Sequence, residues 1–153
     1  MQIFLVSPAQ ITQIPALQAR GAYLLHCWLA QPLTQLAIGR LGRFDLAPGH
    51  YYYVGSAFGP GGLAARLRRH SAVEKRAHWH IDYLRPHLEL REMWAAVTDE
   101  RLECRWCSVL AGLPELSRPI PQFGASDTRC GGHLFYAAEA VAHIADTLRQ
   151  TNP

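Results

Sequence analysis

A chain of 153 residues, 49% hydrophobic and 18% charged, has the composition of one folded domain with its own core, not of a disordered tail or a fibre. No apolar run is long enough to cross a bilayer, and "MQIFLVSPAQ" has neither the basic flank nor the apolar length of a secretory leader. The expectation is an intracellular, cytoplasmic protein with no membrane partner. The net charge of +3 is too mild to mark a nucleic-acid binder by itself.

No repeat, low-complexity tract or linker divides the chain, so residues 1–153 read as a single domain. "GAYLLHCWLA" (21–30) has the aromatic, apolar character of a strand and ends at the turn signal Gln31-Pro32. Residues 34–49 read as strand, glycine-marked bend and short strand, closed by Pro48-Gly49. "HYYYVGSA" is rich in strand formers and stops at Gly55. From Leu63 the pattern turns helical, with Leu63 and Leu67 one turn apart and Arg66, Arg69 and His70 clustered beside that stripe. "HWHIDYL" reads as a short helix ended by Pro86, 88–97 as a strand, and 99–113 as a helix stopped by Gly112 and Pro114. A C-terminal helix is expected over about 136–149, with Val141, Ile144, Ala145 and Leu148 on one stripe. Strands first, then helices mixed with one more strand, predict the α+β class.

The glycine-rich loop "GSAFGPGGLA" opens a helix, a common phosphate-binding arrangement. It lacks the lysine and following hydroxyl of a Walker loop, and no acidic residue follows at the distance a dinucleotide fold requires. A nucleotide cofactor is therefore not expected. What remains is charge: Arg66, Arg68, Arg69, His70, Lys75, Arg76, His78 and His80 fall within fifteen positions, the footprint of a polyanion.

Four cysteines do not suggest a disulfide scaffold at this length, so thiols or metal ligands are expected. The paired spacings Cys104-x-x-Cys107 and Cys130-x-x-His133 would suit a structural zinc site. His78, His80 and Asp82 form another polar cluster. They would share one face of a strand, whereas on a helix His78 pairs with Asp82. Trp79 and Ile81 between them read as core, and Tyr51 and Tyr52 as core or surface tyrosines.

The order "GAY" (Gly21–Tyr23), "YVG" (Tyr53–Gly55), glycine loop and arginine helix resembles the GIY-YIG nuclease superfamily. The closer likeness is to its Uri-type endonuclease branch, which is also carried under a domain-of-unknown-function name. "YVGSA", "RH" followed by "HWHIDYL", and "FGASD" followed by "HLFY" extend the likeness over about residues 21–136. Two departures stand out: the stretch from Tyr23 to Tyr53 is longer than in the short-hairpin nucleases, and Thr128 follows Ser126-Asp127 where the branch has a cysteine.

The resemblance implies a small mixed or antiparallel sheet with an added hairpin, flanked by helices, and hydrolysis of DNA phosphodiesters, with RNA an open alternative. It assigns Tyr23 or Tyr53 as base with the other as orienting hydroxyl, and Arg66 as charge stabiliser. His70 would contact phosphate or shuttle a proton. Ser56, Arg69, His78 and His80 would meet the nucleic acid. Glu103, or else Glu100, would hold Mg2+ or Mn2+. A phenol titrates near about 10, so a tyrosine base needs positive charge beside it, which an arginine and a metal provide. Two readings from other classes stay open: a non-catalytic nucleic-acid-binding module on the same fold, and a zinc-stabilised interaction domain.

Overall fold

Near-continuous runs of apolar and aromatic residues along 21–29 and 49–57 build the middle of an antiparallel sheet buried on both faces. The computed structural model describes residues 2–73, 75–125 and 130–151. Its strands are β1 (Ile3–Val6), β2 (Gly21–Leu29), β3 (Leu33–Ile38), β4 (Gly42–Leu46), β5 (Gly49–Ala57), β6 (Glu89–Val97) and β7 (Leu134–Ala137). Its helices are α1 (Gly62–Ser71), α2 (His80–Leu84), α3 (Glu103–Ala111) and α4 (Ile144–Gln150). A five-stranded sheet runs β1-β6-β2-β5-β7, antiparallel throughout, and β3 and β4 form a separate hairpin. The class is α+β with an added hairpin, as the sequence predicts.

The two-residue period of β2 and β5 sorts their side chains into two cores. On one face Tyr23, Leu25, Cys27, Tyr51 and Tyr53 pack with Leu63 and Leu67 of α1, Ile81 and Leu84 of α2, and Ile38 and Leu46 of the hairpin. On the other, Ala22, Leu24, Tyr52 and Val54 pack with Trp106, Cys107 and Leu110 of α3 and Ile144 and Leu148 of α4. Tyr51 and Tyr52 are core residues with satisfied hydroxyls: Tyr51 donates to the Ala47 carbonyl, and Tyr52 accepts from the Val141 N–H.

Three boundaries depart from the sequence reading. The helix expected at 136–149 begins only at Ile144, because residues 134–137 add to the sheet edge with Phe135 opposite Tyr52. The stripe Val141, Ile144, Ala145 and Leu148 is buried as expected. The third helix starts at Glu103, not at 99. The apolar run at the N-terminus is a strand, β1, that pairs with β6 along Ile3–Val6; four residues are too few to declare a period. Among the described residues no helix is long and apolar enough to cross a membrane.

Candidate functional site

Tyr23 and Tyr53 stand on neighbouring strands and the same face. Tyr23 lies directly across from Gly55, and Tyr53 across from Leu25. The rings are thus diagonal neighbours, with centroids 6.4 Å apart. Gly55 makes this possible, since a Cβ there would overlap the Tyr23 ring. The "YVG" glycine clears space for a tyrosine thirty-two positions earlier, a constraint set by the pairing register.

α1 closes over this pair. It is tied down where the Leu63 N–H donates to the Ala19 carbonyl, with Gly61 and Gly62 at positive φ just before. One turn after Arg66, His70 is fully buried, and its Nε2 lies 2.7 Å from the Tyr23 hydroxyl. The buried Arg85 holds the helix end by donating from Nε to the His70 carbonyl at 2.8 Å. Burial, assisted by the Lys75, Arg66 and Arg69 charges and opposed by Asp82, lowers His70 to about 3, so its ring is neutral near pH 7. Burial also pushes both phenols up: Tyr23 with help from Tyr53, and Tyr53 with help from Asp82. The Arg66 cation pulls both back down.

Both tyrosines open onto a cleft of about 380 Å³ at the end of the sheet, lined also by Ser56, Arg66, Glu103 and His133. Five residues the sequence proposes for phosphate chemistry therefore meet in one place: Tyr23, Tyr53, Ser56, Arg66 and Glu103. Glu103 opens α3 and is only 7% exposed, and its Oε2 is buried with no hydrogen-bond partner. The competing Glu100 is an exposed side chain facing Arg105 at 3.6 Å. A desolvated carboxylate oxygen without a partner is costly unless something cationic meets it. Among the described cleft residues Glu103 is the one carboxylate, beside phenol hydroxyls. Such a donor set fits a hard divalent ion such as Mg2+ or Mn2+ completed by water.

His70 stands behind Tyr23, screened from the cleft, where it can exchange a proton with the phenol but does not face phosphate. Arg69 is committed to Asp82, with its Nη2 2.7 Å from the carboxylate. Asp82 also accepts the backbone N–H groups of His78 and Trp79. Although burial works to raise it, these bonds and the Arg69 charge hold its carboxyl below the usual range. Asp82 is thus the organiser of the α2 start. His78 is exposed and packs edge-on against Trp79. The His80 Nδ1 accepts the Gly124 N–H at 2.8 Å, steering that loop toward Tyr53. The stretch Ser126-Asp127-Thr128 lies outside the described residues.

Two aromatic residues complete the rim unannounced by the sequence. Trp79, read there as core, packs against the core but carries Arg66 over its ring at 4.3 Å and Arg69 at 4.7 Å. Phe58 carries Arg101 at 4.5 Å and Arg20 at 5.8 Å. The only advance signal is an aromatic side chain next to basic positions, too common to single out.

The cysteines correct the expectation of free thiols. Cys104 and Cys130 form a disulfide, while Cys27 and Cys107 are free and buried. Cys107 sits in the core beside Trp106, its thiol pushed up to about 12 by burial. It does not join Cys104, Cys130 and His133, whose donor atoms lie within 4.8 Å of one another. The four-residue zinc set is not assembled.

A larger groove, about 630 Å³, lies across the β1–β6 edge around Leu5, Val6, Val73, Leu88 and Met93. It holds none of the proposed phosphate-chemistry residues. No curated protein and no solved structure matches the chain. Residues 22–152 match the family described as "Domain of unknown function DUF123", and the chain belongs to that family.

Proposed function

We propose that the protein is a divalent-metal-dependent phosphodiesterase acting as an endonuclease on DNA, of the GIY-YIG kind that its sequence resembles. The observation that carries this reading is the meeting of Tyr23, Tyr53 and Arg66 with Glu103, whose buried Oε2 has no hydrogen-bond partner, in one open cleft. Trp79 and Phe58 supply faces on which bases can stack beside arginines that track a backbone.

The chemistry follows from the two pKa directions. Neither phenol is ionised at rest, so no phenolate waits for substrate. Tyr23 acts as base by taking the proton of an attacking water while passing its own to neutral His70 Nε2, in the tautomer whose proton is on Nδ1. His70 is neutral and offers a lone pair, but burial opposes the imidazolium, so it holds the proton only in passing and returns it through the Tyr23 hydroxyl to solvent. Tyr53 orients the water, and Arg66 meets the charge that grows on the phosphoryl oxygens. Mg2+ or Mn2+ held by Glu103 would supply Lewis-acid stabilisation of that same charge. The leaving oxygen takes its proton from solvent.

The test uses labelled single-stranded, duplex and branched DNA and matching RNA, with Mg2+ or Mn2+, and compares the wild type with Glu103→Gln and Arg66→Ala. The expected outcome is cleavage that a chelator abolishes and that each substitution reduces by about 100-fold or more. Equal cleavage by all three proteins would mean a contaminant and would overturn the reading. Binding without cleavage in any condition would assign the same cleft to a non-catalytic nucleic-acid-binding module.

A further inference from the structure

One cluster at the cleft edge is not used by the proposed hydrolysis. Cys104, in the first turn of α3, and Cys130, in the loop before β7, are joined by a disulfide with Cα atoms 5.6 Å apart. Their sulfurs and a ring nitrogen of His133 lie within 4.8 Å of one another. His133 is buried, and its Nδ1 is 3.1 Å from the Val54 carbonyl oxygen. A carbonyl can only accept, so the ring proton is on Nδ1, and Nε2 is the ring atom that would have to ligate an ion. A backbone carbonyl fixing one imidazole nitrogen is how metal-binding histidines are commonly oriented.

We propose that Cys104, Cys130 and His133 form a redox-gated cation site: with both sulfurs reduced they bind zinc or a comparably borderline-soft divalent ion, and oxidation replaces the ion with the disulfide.

Two thiolates and an imidazole are a soft donor set that discriminates against Mg2+, unlike the oxygen donors around Glu103. Zinc bonds of roughly 2.0–2.3 Å in tetrahedral geometry place donor atoms about 3.3–3.8 Å apart, a spacing the cluster reaches by small side-chain rotations once the sulfurs part. Three protein donors leave one position to solvent. Both sulfurs belong to partly exposed residues, so reagents reach them, whereas Cys27 and Cys107 are buried. Oxidation removes two electrons and two protons from the thiol pair. A small-molecule disulfide accepts both: one thiolate attacks it to give a mixed disulfide and release one thiol, and the second thiolate resolves that bond, releasing the other. A dithiol reductant reverses the sequence.

In either state the cross-link ties the turn bearing Glu103 to the segment 130–133 that bears His133, two walls of the cleft. The inference does not rest on the hydrolase reading, and its test has no nuclease readout. Reduced, metal-free protein is titrated with Co2+ and then Zn2+. The expected result is one equivalent of Co2+ giving thiolate charge-transfer bands and strong tetrahedral d–d bands, bleached by Zn2+. Both sets of bands should be lost in Cys104→Ser, in Cys130→Ser and in the oxidised wild type. Should a variant misfold, alkylation mapped by mass spectrometry on the reduced wild type decides the matter, because Zn2+ should shield Cys104 and Cys130. Absence of bands in the reduced protein, bands that survive either substitution or oxidation, or alkylation indifferent to Zn2+ would overturn the proposal.

Discussion

The Tyr23 hydroxyl and His70 Nε2 meet 2.7 Å apart in a dry setting, with Tyr23 only 2% exposed and His70 fully buried. The Tyr53 hydroxyl, two strand positions along the same face, makes no hydrogen bond to any described residue. The two phenols are alike in sequence and unlike in energetics. Removing the Tyr23 hydroxyl strands a buried imidazole that already has an unpartnered Nδ1. Tyr23→Phe is expected to lower stability by about 1–3 kcal/mol. Tyr53→Phe should stay within about 0.5 kcal/mol. Urea unfolding of the two variants checks this, and equal losses would contradict the pairing.

His70 also predicts an acid limit. Its folded pKa is lowered to about 3 from 6.5. Between those values the unfolded chain binds a proton the folded protein refuses, so stability falls as pH drops through that window. One such group contributes a slope of up to about 1.4 kcal/mol per pH unit. His26, His50, His80 and His133 are lowered too and act in the same direction. Asp82, also lowered, adds its loss only below about pH 4. The difference in unfolding free energy between wild type and His70→Gln, followed from pH 7 to 4, should shrink with acidification. A difference independent of pH would remove His70 from the account.

Gly55→Ala is expected to act on Tyr23 through the sheet. The added methyl would overlap the tyrosine ring, so the ring must leave His70 or the strands must part. Overpacking of this kind costs about 1–3 kcal/mol, and on the proposed reading cleavage should fall with it. Stability and activity both at wild-type values would show that the ring does not lie over residue 55.

Asp82→Asn should damage the cleft without touching it. The carboxylate has a fully buried side chain and faces Arg69 at 2.7 Å and Lys75 at 3.7 Å. Losing it leaves two cations partly desolvated, for about 3 kcal/mol. It also weakens the α2 start that holds Trp79 under Arg66 and Arg69. Hydrogen exchange over residues 75–84 should rise in this variant, and unchanged protection there would count against the organising role.

Trp79→Ala keeps both arginines but removes the surface beneath them. Loss of a stacked base is worth about 1–3 kcal/mol, so affinity for single-stranded DNA should drop by roughly tenfold or more. Because the ring also packs against the core, the thermal midpoint should fall too, and binding is compared at a temperature where the variant is folded. Fluorescence anisotropy with a labelled oligonucleotide measures it.

The sequence by itself determined a strand from residue 21 to about 30, a second through the three tyrosines, the arginine helix and the α+β class. Each of these rests on a local period or a short ordered motif that reads along the chain. Tertiary structure alone decided the rest. It placed Glu103, and not Glu100, in the cleft, because α3 begins at residue 103. It put His70 behind Tyr23, lifted Trp79 to the rim through a helix start fixed by Asp82, and joined Cys104 to Cys130 while sending Cys107 into the core. It also drew 134–137 into the sheet against Tyr52, against a helical pattern that holds only further on. All of these depend on contacts between residues distant in the chain, and the free energy of such contacts is set by which faces the sheet brings together.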